Sequence, residues 1–130
     1  MSHYRKGADR ERELLNLFID NGFVAIRAAG SGVNSLSPDL IVFKNKIGAI
    51  IECKAVSKKI LYIRKEQIET LKRWSSESSI RSYLAWRINR VGWRFIEIKD
   101  LKELNDSFAI SKDHMIEKGL DVESFIGIFK

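Results

Sequence analysis

The stretch from Asp39 to Lys54 constrains the fold of this chain more than any other. It contains two apolar runs rich in β-branched residues, at positions 40–43 (Leu-Ile-Val-Phe) and 47–51 (Ile-Gly-Ala-Ile-Ile), on either side of the polar bend 44–46 (Lys-Asn-Lys). Short β-branched runs joined by a tight polar bend predict two antiparallel strands in a hairpin. The chain is therefore expected to be organised around a β-sheet.

The predicted hairpin gathers ionisable side chains at one of its ends. Asp39 opens the first strand, and Glu52 and Lys54 close the second. Because residues two apart on a strand share a face, Glu52 and Lys54 point the same way and Cys53 points oppositely. Two carboxylates and an ammonium suit a hard cation such as Mg²⁺, which takes carboxylate oxygens and keeps waters for a phosphate and a nucleophile.

The same residues, Pro38-Asp39 followed by Glu52-Cys53-Lys54, resemble the PD-(D/E)XK signature of the restriction-endonuclease-like nucleases. The resemblance implies that the two acids hold Mg²⁺ and that the lysine positions or activates the attacking water. The short pattern also occurs by chance, and its place on a hairpin favours the nuclease interpretation. The alternative is a surface hairpin whose end carries a Glu–Lys salt bridge and a capping Asp.

Length and composition fit one globular domain, residues 1–130. The chain is 45% hydrophobic and 31% charged, which is typical of soluble proteins. No apolar run approaches the roughly 20 residues that cross a bilayer, and the polar N-terminus is unlike a signal peptide. The single cysteine, Cys53, excludes an intramolecular disulfide. These features predict a cytoplasmic protein with no membrane association.

The net charge of +6 is unevenly distributed along the chain. Residues 1–99 hold 19 Lys and Arg and 10 Asp and Glu, whereas residues 100–130 hold 4 and 7. A basic surface around an acidic pocket fits a protein that binds a phosphate backbone and holds a metal. The alternative is a solvated basic surface that serves solubility.

The segment before the hairpin predicts a helix over residues 4–21, ended by Gly22. Glu11 borders the apolar stripe of this helix, so it could reach the end of the sheet as a third acid. The alternative for Glu11 is an i,i+4 ion pair with a neighbouring basic residue of the helix.

Residues 23–27 predict a first strand that runs into a glycine- and serine-rich loop, residues 28–37. The backbone of such a loop can approach a phosphate closely, or the loop can be an ordinary connection. Arg27 enters the loop from the strand and is a candidate for a phosphate contact.

Several short motifs, in order, make the resemblance narrower. They are Tyr4-Arg5-Lys6-Gly7-Ala8, Glu11-Arg12-Glu13-Leu14, Gly22-Phe23, Arg27-Ala28-Ala29-Gly30-Ser31, the Asp39/Glu52/Lys54 hairpin and Val91-Gly92-Trp93-Arg94-Phe95-Ile96-Glu97. Over this span the chain is similar to the archaeal Holliday junction resolvases. The resemblance implies a homodimer that cuts four-way junction DNA symmetrically with Mg²⁺, for which Mn²⁺ may substitute, and no small-molecule substrate.

The resemblance also implies roles for individual residues. By motif match, Glu11, Asp39 and Glu52 take the metal-site positions and Lys54 takes that of the catalytic lysine. We expect the backbone carbonyl of Cys53 to be a further metal ligand. Ser31 matches the loop serine of the family and is expected to be a catalytic residue. The residues expected to contact DNA are Arg5, Lys6, Arg10, Arg12, Arg27, Ser31, Lys58 and Lys59. For Lys58 and Lys59 the alternative is that they are simply solvated.

After the hairpin, residues 64–78 predict a second helix, and residues 81–88 and 93–98 predict a strand pair. On this helix, Gln67 is expected to be an ordinary exposed residue. The alternative is a site role, because its position is similar to that of a helix glutamine in some relatives of the nuclease superfamily.

Residues 100–130 are weakly patterned. Residues 112–119 predict a short helix, and the apolar run 125–129 should be buried either against the chain's own sheet or across a dimer. The dimer contribution is the favoured interpretation.

The predicted fold is α/β, a single restriction-endonuclease-like domain with a mixed central β-sheet flanked by helices. The predicted function is Mg²⁺-dependent resolution of four-way DNA junctions by a homodimer. The alternatives are a nuclease of the same superfamily that acts on linear or damaged duplex DNA, and a non-catalytic DNA-binding protein. The presence of Asp39, Glu52 and Lys54 argues against the last, since a binding protein has no use for two acids that face a phosphate.

Overall fold

The chain forms a mixed sheet with helices packed on both faces. The computed structural model describes residues 3–28 and 37–130, with side chains from Gly7 onward in the first range. The helices are α1 (His3–Asp20), α2 (Lys65–Ser78), α3 (Lys112–Lys118) and α4 (Val122–Gly127). The strands are β1 (Val24–Arg27), β2 (Leu40–Lys44), β3 (Ile47–Lys54), β4 (Ile60–Arg64), β5 (Arg81–Ile88), β6 (Gly92–Glu97), β7 (Lys102–Glu103) and β8 (Ser107–Ser111). No helix in these ranges is long and apolar enough to span a membrane.

The strands in the described part of the chain form two sheets. The larger has the order β1-β2-β3-β5-β6, in which β3 and β5 are parallel and the other neighbours are antiparallel. The smaller is antiparallel, with the order β4-β8-β7. A mixed central sheet flanked by helices confirms the predicted fold class.

The predicted hairpin is present, and its turn fixes its register. Asn45 and Lys46 connect β2 to β3 with φ values of 53° and 68°. Positive φ at both central residues is what a two-residue type I′ turn requires, and such a turn matches the twist of the flanking strands. Because β2 pairs with β3 along its whole length, the residues just beyond the last pair, Asp39 and Glu52, are the next facing positions.

Each face of the large sheet carries its own hydrophobic core. Leu14 and Phe18 of α1 pack on one face, and Ile68 and Leu71 of α2 pack with the small sheet on the other. Gly22 ends α1 with φ 86°, a conformation that glycine adopts without a steric penalty. The predicted helices and strands before residue 100 are confirmed to within two residues at each end.

The C-terminal segment completes the core under α1. The ring of Phe125 stacks on Phe95, with centroids 4.1 Å apart, and meets Tyr83 edge-on at 4.9 Å. Phe125 and Phe129 are fully buried within this chain. Both rings are therefore buried against the chain's own sheet, which is the alternative to burial across a dimer. The short helix is confirmed as α3, and a dimer role for residues 100–130 stays a prediction.

Replacing Phe125 with Ala should lower the free energy of unfolding by about 3–5 kcal/mol, because it empties a fully buried aromatic position. Ile128 lies in the same run but is 39% exposed, so Ile128→Ala should cost about 1 kcal/mol or less. Urea unfolding followed by circular dichroism measures both. Similar losses in the two variants would contradict the placement of Phe125 in the chain's own core.

Candidate active site

The facing ends of β2 and β3 bring two carboxyl groups into contact. Leu40 pairs with Ile51, so Asp39 stands opposite Glu52 where the ladder ends. Asp39 Oδ2 accepts a hydrogen bond from the backbone N–H of Cys53 at 2.9 Å, and the carboxyl groups of Asp39 and Glu52 are hydrogen-bonded to each other. The sequence-predicted pair is therefore assembled by the hairpin itself.

The Asp39–Glu52 pair is buried, which makes two negative charges costly. Glu52 is 6% exposed, and burial, with the charge of Asp39 next in size, raises its pKa to about 8 against the opposing effect of Lys54. Burial also raises the pKa of Asp39, although the Cys53 N–H and Lys54 oppose that rise. Both shifts favour a carboxyl pair that retains a proton at neutral pH.

Lys54 lies beside the pair and contacts a side chain from α2. Its Nζ is 3.5 Å from Gln67 Oε1, a long hydrogen bond that joins the end of β3 to the first turns of the helix. Lys54 and Glu52 share a face of β3, as predicted from their spacing. Gln67 is thus placed at the site, and the only sequence signal for it was its position on the helix.

Glu11 reaches the same end of the sheet but is paired with a cation. Its Oε1 is 3.2 Å from Arg27 Nε, and both side chains are largely buried. Burial raises the pKa of Glu11, the charge of Asp39 adds to the rise, and Arg27 opposes it. Glu11 therefore lies within electrostatic reach of the acids, and its ion pair is with Arg27 of β1, not with a neighbouring basic residue of its own helix.

The other predicted DNA-contact residues occupy different positions around this end. Arg10 is paired with Glu13 at 2.7 Å, and the exposed Arg12 lies 3.6 Å from Asp9. Lys58 and Lys59 are exposed in the segment between β3 and β4. Ser31 and the side chains of Arg5 and Lys6 lie outside the described part of the structure.

The donor atoms at the acid pair fit a hard divalent metal. The backbone N–H and C=O of a strand residue point to the same edge, so the Cys53 carbonyl lies on the side of Asp39, whose carboxylate accepts the Cys53 N–H. Among the described residues, no group of three His, Cys, Asp or Glu side chains is arranged to hold a metal ion. Two carboxylates and a carbonyl match Mg²⁺, which is commonly held by one or two carboxylates and otherwise keeps its waters.

Sequence reasoning missed a second polar cluster at this end of the sheet. Glu13 Oε1 accepts hydrogen bonds from Arg87 Nε at 2.8 Å and from Trp93 Nε1 at 2.9 Å, while its Oε2 accepts from Arg10 Nη1 at 2.7 Å. The available signal was Arg87 itself, a cation within the apolar strand β5. Asn89, which follows that strand, lies close by in the cleft that these arginines border.

Comparison with known structures identifies the fold. The solved structure of Archaeoglobus fulgidus Hjc, described as a Holliday junction resolvase from an archaeal hyperthermophile, matches with a TM-score of 0.82 and 29% identity, over 94% of this chain and 99% of that chain. The fold is that of the restriction-endonuclease-like nucleases. The family model described as archaeal Holliday junction resolvase (hjc) matches residues 2–130. The chain therefore belongs to the archaeal Holliday junction resolvase family, and this membership implies a divalent metal cofactor.

Curated relatives agree with the family match. The crossover junction endodeoxyribonuclease Hjc of Archaeoglobus fulgidus is 30% identical over 95% of this chain and 91% of its own length. The protein of the same name from Sulfolobus acidocaldarius is 30% identical over 97% and 90%. That of Methanocaldococcus jannaschii is 45% identical over 66% of this chain and 62% of its own length.

The raised pKa of Glu52 predicts how stability depends on pH when no divalent metal is bound. Between pH 4.5 and about 8 the folded chain holds a proton on Glu52 that the unfolded chain has released. The free energy of unfolding should therefore fall as pH rises through this window, and Glu52→Gln should remove most of the fall. Urea unfolding with a chelator at several pH values measures this, and parallel curves for the two proteins would contradict it.

Proposed function

We propose that this chain is a structure-specific endonuclease that resolves four-way DNA junctions by Mg²⁺-dependent phosphodiester hydrolysis. The observation that carries the proposal is the buried Asp39–Glu52 pair with Lys54 beside it, because two facing carboxyl groups that give up their protons can hold a divalent metal against phosphate in a basic chain. Supporting it, relatives matched over most of their length are named crossover junction endodeoxyribonucleases. We further propose that residues 1–130 form one nuclease domain.

In this proposal the acids hold the metal and Lys54 faces the reacting phosphate. Asp39, Glu52 and the Cys53 carbonyl supply the ligands for Mg²⁺, with Mn²⁺ as a substitute. A bound divalent ion supplies Lewis acidity, which makes water a better nucleophile and neutralises charge on the phosphate. Lys54, kept near the pair and in contact with Gln67 at 3.5 Å, orients the attacking water or stabilises the negative charge that grows in the transition state.

The remaining predicted residues surround this centre. Glu11 adds negative charge next to the pair and holds Arg27 at 3.2 Å, so that Arg27 is positioned for a phosphate. Ser31 is proposed to act from the loop before Asp39. The residues proposed to contact the DNA backbone are Arg5, Lys6, Arg10, Arg12, Arg27, Ser31, Lys58 and Lys59.

Asp39→Asn should slow junction cleavage by about a hundredfold or more, because the site loses a metal-ligand charge. The new side chain keeps an oxygen that can accept the Cys53 N–H, so the hairpin end should survive. Junction binding should change by less than about threefold, because the basic contacts remain. Single-turnover cleavage of a labelled junction with Mg²⁺ and a gel shift without divalent metal measure the two effects.

The matched control is Asp106→Asn, which removes the same charge at an exposed turn between β7 and β8 and should cut like the original protein. Loss of binding in Asp39→Asn would contradict the role of Asp39. Equal cutting of the matching linear duplex would favour a general nuclease, and tight binding with no cutting in Mg²⁺ or Mn²⁺ would favour a non-catalytic DNA-binding protein.

We propose that the active form is a homodimer, since paired cuts in opposed strands need two sites and the described residues contain one such acid pair. A candidate surface is the β1–β2 patch, formed by Val24, Ile26 and Phe43. Val24 and Ile26 are 69% and 65% exposed, and Phe43 pairs with Val24 on the same face. That face also carries the Asp39–Glu52 pair, so two-fold contact through the patch would place two sites near one axis. The rest of this face is covered by α2 and the small sheet.

Ile26→Asp should weaken self-association by about a hundredfold or more, because it buries a charge in a dimer contact. Paired cuts in one junction should then become single nicks. Sedimentation measures the first effect, and a cruciform plasmid assay that separates nicked from linear product measures the second. Ile116→Asp, at a site of 38% exposure on α3, is the control. A dimer that survives Ile26→Asp, or that only Ile116→Asp separates, would contradict the placement at the β1–β2 patch.

A further inference from the structure

A small polar cleft opens at the same end of the sheet as the Asp39–Glu52 pair. Its volume is about 130 Å³, and its lining residues are Arg10, Ala55, Val56, Ser57, Arg87 and Asn89. Small-molecule sites usually enclose about 300–1,000 Å³, so this cleft suits a single small group. Its ionisable lining residues are two arginines, which makes that group an anion.

Both guanidinium groups of the cleft are fixed by one carboxylate that does not itself line it. Glu13 Oε1 contacts Arg87 Nε at 2.8 Å, and Glu13 Oε2 contacts Arg10 Nη1 at 2.7 Å. A guanidinium carries five N–H donors in a rigid fork, so one bond to Glu13 orients each group and leaves other donors for a ligand. Partial burial raises the pKa of Glu13, but the hydrogen bonds from Arg87, Trp93 and Arg10 more than offset that, so its pKa is lowered.

The cleft is lined in part by residues that directly follow β3, the strand that carries Glu52 and Lys54. Ala55, Val56 and Ser57 directly follow Lys54 at the end of β3, and Arg87 lies near the end of the parallel neighbour β5. Lys54 lies on the face of the sheet that α2 covers, and Arg87 lies on the face that α1 covers. A DNA strand that places one phosphate at Lys54 would therefore cross this end of the sheet to bring a flanking phosphate to the two arginines.

We propose that this cleft binds a backbone phosphate that flanks the cut, and that Glu13 is the positioning residue that aims Arg10 and Arg87 at it. The inference rests on the proposed function and adds Arg87 and Asn89 to its DNA-contact residues. Arg87 and Arg10 donate to the phosphate oxygens, and Ser57 and Asn89 add neutral donors at the rim. One arginine would hold a phosphate loosely, whereas two guanidiniums locked at a fixed separation select one phosphate position.

The positioning role predicts a result that charge alone does not. Glu13→Gln raises the net charge of the chain, so simple electrostatics predicts tighter DNA binding. The glutamine oxygen can still accept from Trp93, but its amide NH₂ cannot accept from the second guanidinium. If Glu13 positions the arginines, the variant binds more weakly despite its added positive charge.

The test measures junction affinity without divalent metal at several salt concentrations. Arg87→Ala should weaken binding about tenfold and reduce the slope of log K against log salt by about one. Glu13→Gln should weaken binding about threefold or more. The matched control is Arg81→Ala, which removes the same charge from the other end of β5, where Arg81 is exposed and paired with Glu97, and should change affinity less than about twofold.

A neutral methylphosphonate, placed at one linkage at a time near the cut, locates the contact. In the original protein one flanking linkage should cost about tenfold in affinity, and in Arg87→Ala the same linkage should cost almost nothing. A purely structural role for Glu13 and Arg87 would lower the unfolding midpoint in urea without this loss of linkage dependence.

The inference is overturned if Arg87→Ala and Arg81→Ala bind alike, if Glu13→Gln binds more tightly, or if the methylphosphonate costs are the same with and without Arg87. If the original protein cuts no junction, the proposed function fails separately. The same binding series on linear duplex then tests whether the cleft binds a backbone phosphate.

Discussion

The contact between Asp39 and Glu52 is the constraint on which the rest of this structure depends. Two carboxyl groups in a buried position repel each other when ionised, and the burial of Glu52 raises its pKa to about 8. A fold that evolved only for stability would replace such a pair with apolar side chains, since an unpaired buried charge is costly. The strand register nevertheless holds the acids together, with Asp39 bonded to the Cys53 N–H at 2.9 Å. The pair is therefore best explained by a cation that offsets the repulsion.

The surrounding elements supply cations in an ordered way. On one face of the sheet, α2 brings Gln67 to Lys54. On the other, α1 carries Glu11 and Glu13 two residues apart, and each acid holds an arginine from the sheet, Arg27 and Arg87 respectively. These acids thus orient basic side chains along the edge where the acid pair lies. A basic protein with the same net charge but unpaired arginines would attract DNA equally well, yet would not define where the backbone lies.

The sequence predicts the centre of this arrangement well because local rules determine it. The two-residue bend at Asn45 and Lys46 sets the hairpin register, and the register alone places Asp39 opposite Glu52. The period of two along a strand then places Lys54 with Glu52. The helix of residues 65–78 follows from its apolar spacing in the same way. Each of these inferences uses residues within one element or one tight turn.

What the sequence did not predict depends on contacts between distant elements. The Glu13–Arg87 bond joins residues 74 positions apart, and strand β8 is stabilised by pairing with β4 and β7, not by a strong pattern of its own. The same holds for Phe125, whose ring packs against Phe95 and Tyr83 on the sheet, both far from it in the sequence. Local periodicity cannot rank such pairings. A charged residue inside an apolar strand, such as Arg87, still indicates that a partner from another element lies nearby. The reason is that a largely buried guanidinium without a hydrogen-bond partner would cost more free energy than the packing of the strand provides.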